Sequence, residues 1–260
     1  MKNFRMKILN IFIFLIGLSA CSQKDTTINP IADDYKYDVI TDKAKVPWGF
    51  DFLPDQSILI TDRSGKLFHH LDGKTTEISG VPKVYAEKQG GLLDIKVHPE
   101  YPQKPWIYIS YSSIKGDNDG AHTALARAKL SDDQLVELDV LYKASPNTEK
   151  GIHFGSRIEF DNEGYLFLTI GERGQRDVNP QDITRDGGKV YRFHEDGSIP
   201  ESNPFYDEPD AKKAIYSYGH RNPQGMELHP ETGDIWVHEH GPRGGDEINI
   251  VKKGANYGWP

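Results

Sequence analysis

Five polar clusters contain side chains of the kinds that catalyse reactions or bind ligands. They span residues 89–93, 151–157, 171–177, 216–225 and 238–249. In the second cluster, His153 lies in a glycine-flanked loop before an apolar stretch. Because an imidazole changes charge near neutral pH, His153 suits the role of general base. A lone histidine is more often structural, so that alternative stays open.

The fifth cluster is rich in oxygen ligands. The carboxylates of Asp246 and Glu247 and the carbonyls of a Gly-Pro turn suit calcium better than zinc. His238 and His240 would share one face of a strand, so a two-histidine transition-metal site is an alternative. No third ligand has convincing spacing. The charged run 171–177 by itself is typical of a solvated loop.

Several common catalytic motifs are absent from the sequence. No glycine-rich fingerprint joins a strand to a helix, and there is no P-loop and no Gly-x-Ser-x-Gly elbow. The only cysteine is Cys21, which excludes paired zinc thiolates and internal disulfides. These absences argue against nicotinamide, nucleotide-triphosphate and serine-hydrolase chemistry.

The N-terminus has the pattern of an export signal. Three basic residues precede an apolar run at 8–18 that is too short to span a bilayer, and small residues lead to Cys21. We expect residues 1–20 to be a lipoprotein signal peptide, Cys21 to be acylated, and the polar segment 21–34 to be a tether. An ordinary secretory signal is the alternative. The predicted location is the periplasm or cell envelope, with membrane contact only through the lipid.

The acidic composition limits the possible partners. The chain has a formal net charge of -8, and loss of the signal peptide would remove three positive charges. This balance argues against nucleic acid as a partner. Residues 35–260 are enough for one domain with a sizeable hydrophobic core.

A hairpin pattern repeats four times along this domain. Alternating apolar residues, a polar turn and a second β-rich run recur at 48–61, 92–110, 156–169 and 224–237. The spacing predicts an all-β fold, a β-propeller with one four-stranded blade per repeat, with a β-sandwich as the alternative. No closing pattern precedes Pro260, so we expect the chain to supply about the first four blades and to lack later ones.

The clusters together resemble the glucose/sorbosone dehydrogenase family, and in particular its soluble aldose sugar dehydrogenases, which depend on pyrroloquinoline quinone (PQQ). The resemblance covers about residues 45–260. It rests on Gly-Lys-Val-Tyr-Arg-Phe at 188–193, Gly-His-Arg-Asn-Pro-Gln-Gly at 219–225, Gly-Pro-Arg-Gly-Gly-Asp-Glu-Ile-Asn at 241–249 and Asn-Tyr-Gly-Trp-Pro at 256–260. It implies a six-bladed propeller with PQQ and Ca²⁺ at the top of the central channel.

The resemblance also implies a reaction and roles for named residues. An aldose would be oxidised at its anomeric carbon to a lactone, with His153 as the base, hydride passing to PQQ, and an unidentified electron acceptor. Gln89 matches a cofactor or substrate contact and Glu172 a residue near the substrate. Ile152 departs from the pattern, because glucose-oxidising members carry there an aspartate that orients the histidine.

The remaining matches concern the cofactor and the cation. Arg221 and Asn222 match cofactor contacts, and Arg221 would stabilise charge developing on the quinone oxygen. The matched calcium ligands are the carbonyls of Gly241 and Pro242 for the ion at the quinone, and Glu247 and Tyr257 for a second, structural ion. Two alternatives stay open, a non-catalytic envelope propeller that binds a glycan or protein and a calcium-dependent lactonase.

Overall fold

The computed structural model describes residues 36–260. The predicted signal peptide, Cys21 and the tether to residue 34 lie outside the described residues. Residues 39–260 form a compact unit that contains fifteen β-strands. No helix within 36–260 has the length and apolar character needed to cross a membrane.

The strands form four sheets in chain order. The first contains β1 (Pro47–Phe52), β2 (Ile58–Asp62), β3 (Lys66–Leu71) and β4 (Lys74–Ile78). The second contains β5 (Leu92–Val97), β6 (Ile107–Ser113), β7 (His122–Ser131) and β8 (Gln134–Lys143). The third contains β9 (Ile158–Phe160), β10 (Leu166–Ile170), β11 (Lys189–Phe193) and β12 (Ile215–Tyr218). The fourth contains β13 (Pro223–Leu228), β14 (Ile235–Glu239) and β15 (Glu247–Ile250).

Each predicted hairpin forms the first two strands of one sheet. The turn chemistry explains why the chain reverses where it does. Between β9 and β10, the Asp161 carboxylate accepts the backbone N–H groups of Glu163 and Tyr165 at 2.9 Å each. Gly164 in that turn has a φ of 82°, which a residue with a side chain adopts only with strain.

The sheets pack face to face in succession, as propeller blades do. Strand β1 lies against β5, β5 against β9, and β9 against β13. A separate apolar core fills the space between each pair of neighbouring sheets; buried side chains such as Leu92, Leu168 and Val237 belong to the three successive cores. The propeller prediction is therefore confirmed, and the two-layer sandwich alternative is wrong.

One ion pair ties the innermost strands of three blades. The Asp94 carboxylate of β5 accepts hydrogen bonds from Arg157 Nη1 and from the Ile158 amide, both at 2.8 Å. The Arg157 guanidinium also lies 4.4 Å from the centre of the Trp48 ring in blade one. At Gly49 a Cβ atom would come within 2.5 Å of the Asp94 carboxylate, so only glycine allows this approach.

We expect Asp94→Ala to lower the free energy of unfolding by about 3 kcal/mol, because it leaves Nη1 of the partly buried Arg157 and the buried Ile158 amide without their acceptor. Denaturant unfolding measures the change. The control is Glu77→Ala, which removes an exposed ion pair to Lys66 and should cost within about 1 kcal/mol. Equal losses in the two variants would contradict a special role for the inner ion pair.

Candidate active site

The five clusters meet at one end of the propeller because of how the strands alternate. Connections from the last strand of one blade to the first strand of the next lie at this end. These carry residues 89–93, 151–157 and 219–222. Connections from the second to the third strand of a blade lie at the same end, and they carry residues 171–177 and 240–246.

His153 is held at its backbone and at its ring. Its φ of 54° lies in the left-handed region, and so do the φ angles of the nearby Gly151 (66°) and Gly155 (60°). Its amide donates a hydrogen bond to Gln89 Oε1 at 2.7 Å, and the Gln89 amide donates to the Gly151 carbonyl at 3.0 Å. The ring Nδ1 is hydrogen-bonded to Glu172 Oε1. These contacts fix the imidazole in one orientation.

Glu172 lies behind the histidine. Its side chain is 2% exposed, and its second carboxylate oxygen has no hydrogen-bond partner among the described residues. An ionised carboxylate only accepts, so Nδ1 of His153 is the donor to it. A neutral imidazole with its proton on Nδ1 carries a lone pair on Nε2. Glu172 thus orients the ring.

Arg173 is a functional candidate that the sequence reasoning did not single out. Its guanidinium is fully buried, donates to the carbonyls of Ile152 and Ala121, and lies 3.5 Å from the centre of the Phe154 ring. Burial lowers the pKa of Arg173 to about 9, although the charge of Glu172 opposes this. The 171–177 run is therefore not simply a solvated loop, since its first charged pair points inward. A charged sequence gives no sign of such burial.

The segment 221–222 joins this arrangement to the next loop. The Asn222 side-chain oxygen accepts the Gly155 amide at 3.1 Å, and the Arg221 carbonyl accepts the Glu172 amide at 2.8 Å. Arg221 Nη1 donates to the His240 carbonyl at 2.8 Å. The Nε atom of Arg221 is buried and lacks a partner among the described residues.

Glu239 and His220 form a second buried pair that the sequence analysis missed. Glu239 Oε1 accepts from His220 Nδ1 at 2.8 Å, and Oε2 accepts the Arg221 amide at 2.6 Å. Burial raises the pKa of Glu239, but the hydrogen bond and charge of His220 and the backbone donors outweigh it, so the pKa is lowered overall. Because Glu239 accepts the Arg221 amide, the pair helps to hold the backbone of Arg221 in place. Its only sequence signal is the position of the two residues within the polar clusters.

A cavity of about 130 Å³ opens beside Arg221. The predicted residues that line it are Arg221, Gly241, Pro242, Glu247 and Tyr257, together with Trp259. Gln89, His153, Glu172 and Asn222 do not line it, but their loops are joined to it through the Glu172–Arg221 backbone hydrogen bond. All the predicted loops therefore meet, while the side chains form two adjacent groups.

The carboxylates of Glu239 and Glu247 and the backbone of the Gly241 turn contribute oxygen atoms to the lining of this cavity. At Gly241 a Cβ atom would come within 2.5 Å of the Gly244 and Gly245 carbonyl oxygens, so these carbonyls crowd the turn. The Tyr257 hydroxyl donates to the Ile250 carbonyl at 2.6 Å. Residues 36–260 contain no group of three or more His, Cys, Asp or Glu arranged to hold a metal. The two-histidine alternative therefore lacks a third protein ligand of these types.

The sequence of this chain matches a known family model and is similar to known proteins. A sequence model of the glucose/sorbosone dehydrogenase family matches residues 44–260. The aldose sugar dehydrogenase YliI of Escherichia coli (strain K12) is 46% identical over 228 residues, which cover 86% of this chain and 61% of that protein.

Solved structures agree with the sequence match. The soluble aldose sugar dehydrogenase of Escherichia coli in its apo form superposes with a TM-score of 0.82 at 45% identity, covering 86% of this chain and 65% of that one. The PQQ-bound aldose sugar dehydrogenase of Streptomyces coelicolor gives 0.71 at 31% identity, covering 82% and 62%. The chain thus spans less than two thirds of the length of these relatives. Within that span, it belongs to the glucose/sorbosone dehydrogenase family.

Proposed function

We propose that this protein is a quinoprotein oxidoreductase that oxidises the anomeric carbon of aldose sugars to lactones, with PQQ as cofactor and His153 as general base. The observation that carries the proposal is the hydrogen bond between Glu172 and Nδ1 of His153, which leaves Nε2 free to accept a proton. The names of the similar proteins, aldose sugar dehydrogenases in two bacteria, support the substrate class.

The chain's own residues account for the proton transfer. His153 Nε2 takes the proton of the anomeric hydroxyl, and the buried carboxylate of Glu172 stabilises the imidazolium that forms. Gln89 holds the His153 amide, so the ring stays aligned while its charge changes. When bound, the quinone supplies the electrophilic carbonyl carbon that accepts the hydride. An unidentified electron acceptor would then take up the two electrons removed from the sugar.

The residues around Arg221 fit a polyanionic quinone. The Nε of Arg221 and the indole N–H of Trp259 are buried donors without partners among the described residues, and both residues line the cavity. An unpaired buried donor is costly, and a carboxylate or quinone oxygen would satisfy it. Arg221 also brings positive charge to an acidic protein. We propose Arg221 and Asn222 as cofactor contacts and Gln89 as a cofactor or substrate contact.

Two calcium sites belong to the same proposal. The carbonyls of Gly241 and Pro242 would bind the ion that polarises the quinone, and Glu247 and Tyr257 would bind a second, structural ion. The oxygen-rich lining of the cavity suits a hard cation, and the donors include backbone carbonyls.

The cellular placement is also a proposal. We propose that residues 1–20 are a lipoprotein signal peptide, that Cys21 is acylated, and that residues 21–34 form a tether. The protein would then act in the periplasm or on the cell envelope. Metabolic labelling with a fatty-acid analogue tests this, because Cys21→Ser should abolish the label.

The activity is tested with the full-length protein, PQQ, Ca²⁺ and an artificial electron-accepting dye. We expect dye reduction with several aldoses, and none when PQQ is omitted. Absence of reduction with every aldose would contradict the proposal. Sugar capture without turnover would favour the non-catalytic propeller instead.

We expect His153→Asn to lower kcat by about 10²- to 10⁴-fold, because it removes the base while asparagine tolerates the left-handed backbone at this position. Quinone binding, measured by fluorescence quenching, should persist. His194→Asn is the matched control, since His194 is exposed in a turn at the opposite end of the propeller. Near-normal turnover in His153→Asn would remove the base assignment.

We expect Ca²⁺ to raise the thermal unfolding temperature of chelator-treated protein. A free concentration about 100 times Kd corresponds to about 2.7 kcal/mol of stabilisation. Glu247→Gln should reduce the increase, because it removes a ligand charge, whereas Glu231→Gln in an exposed distant turn should not. An unfolding temperature indifferent to Ca²⁺ would contradict the cation sites.

A further inference from the structure

A buried ammonium group lies beneath the active-site loops and takes no part in the proposed chemistry. Lys189 begins β11 and its side chain is fully buried. Its Nζ donates to the Asn179 carbonyl at 2.5 Å and to the Gly187 carbonyl at 2.7 Å. Both acceptors belong to the segment between β10 and β11. Lys189 therefore binds two distant points of that segment.

The same segment carries Glu172, and a short chain of hydrogen bonds connects them. The Asn179 side-chain amide donates to the Glu172 carbonyl at 3.1 Å. Its side-chain oxygen accepts from Arg185 Nε at 3.1 Å. The backbone carbonyl of Asn179 thus accepts a hydrogen bond from Lys189, and the Asn179 side chain donates one to the Glu172 carbonyl. One residue, Asn179, therefore connects Lys189 to the backbone of Glu172, whose carboxylate holds His153.

A lysine at this buried position is less favourable for stability than an apolar side chain would be. Burial lowers the pKa of Lys189 to about 7, against the charges of Asp186 and Asp182 and with the help of Arg185. An apolar side chain of similar length would fill the space without this desolvation. An amine keeps at least two N–H groups in either protonation state, so it can serve both carbonyls throughout. The desolvation of Lys189 costs stability, and the two hydrogen bonds that it gains in return hold the β10–β11 segment in place.

We propose that Lys189 is a positioning residue, which fixes the β10–β11 segment through the Asn179 and Gly187 carbonyls and thereby holds Glu172 against the His153 ring. The consequence for turnover rests on the proposed function. The consequence for the histidine ring does not, because the hydrogen bond between Glu172 and Nδ1 exists without any bound group.

The test variant is Lys189→Met, which keeps the length of the side chain and removes its donors. Lys96→Met is the control, because burial also desolvates Lys96 and its Nζ pairs with Glu159 at 2.8 Å, near the end of β5 away from the active-site loops. Glu172→Gln serves as the reference for loss of the carboxylate.

Nuclear magnetic resonance of ¹⁵N-labelled histidine, with no quinone added, provides the main measurement. We expect Lys189→Met to shift the His153 ring-nitrogen resonances towards those of Glu172→Gln. We also expect it to speed amide exchange in residues 172–187 by about tenfold or more. Lys96→Met should leave both unchanged. In the full-length, quinone-loaded enzyme, Lys189→Met should lower kcat about tenfold with little change in KM.

Two results would overturn the proposal. One is a folded Lys189→Met protein with wild-type His153 resonances and wild-type exchange in the segment. The other is an equal effect of Lys96→Met, which would indicate general destabilisation. If Lys189→Met does not fold, Asn179→Leu tests the middle link, and wild-type His153 resonances in that variant would contradict the proposal. A lack of sugar oxidation alongside the expected resonance shifts would instead reject the proposed function alone.

Discussion

The hydrogen bond from the Glu172 amide to the Arg221 carbonyl joins the two halves of the site. On one side of it, the Glu172 carboxylate holds the ring of His153. On the other, the Arg221 side chain lines the oxygen-rich cavity. The two loops are far apart in the sequence, and the inner strands determine where each loop lies in the propeller. The Asp94–Arg157 ion pair and the close approach at Gly49 keep those strands in register, and so determine where the loops meet.

Stability and function draw on different parts of the molecule. The apolar cores between successive sheets supply the favourable burial that folds the chain. The active end instead buries charge, at Glu172, Arg173, Lys189 and Glu239. Buried charges are poor contributors to stability, but they hold their partners in narrowly defined positions. A site that moves a proton needs such an arrangement, because the base and its partner must be oriented before the substrate arrives.

The local part of the fold could be predicted because it follows from periodicity and turn chemistry. The hairpin at 156–169 is an example, since alternating apolar residues flank an Asp-Asn-Glu-Gly turn whose hydrogen bonds are entirely local. The site was harder to predict. The glycine neighbours of His153 mark it in the sequence, and the resemblance places Glu172 near the substrate, but only the structure shows that Glu172 binds the His153 ring. Arg173 and the Glu239–His220 pair were not anticipated, because charged residues in a loop look the same in sequence whether they face solvent or core.

The sequence by itself determined the strands, their grouping into blades, the polar clusters between them and the family resemblance, since each depends on residues close together in the chain or on a motif. Only the tertiary structure decided which charged side chain faces which partner. It set Glu172 against His153, left Arg221 Nε and the Trp259 indole N–H without partners among residues 36–260, and buried Lys189 beside two carbonyls. The physical reason is that these contacts join residues on separate strands and loops, whose distances depend on the packing of whole sheets.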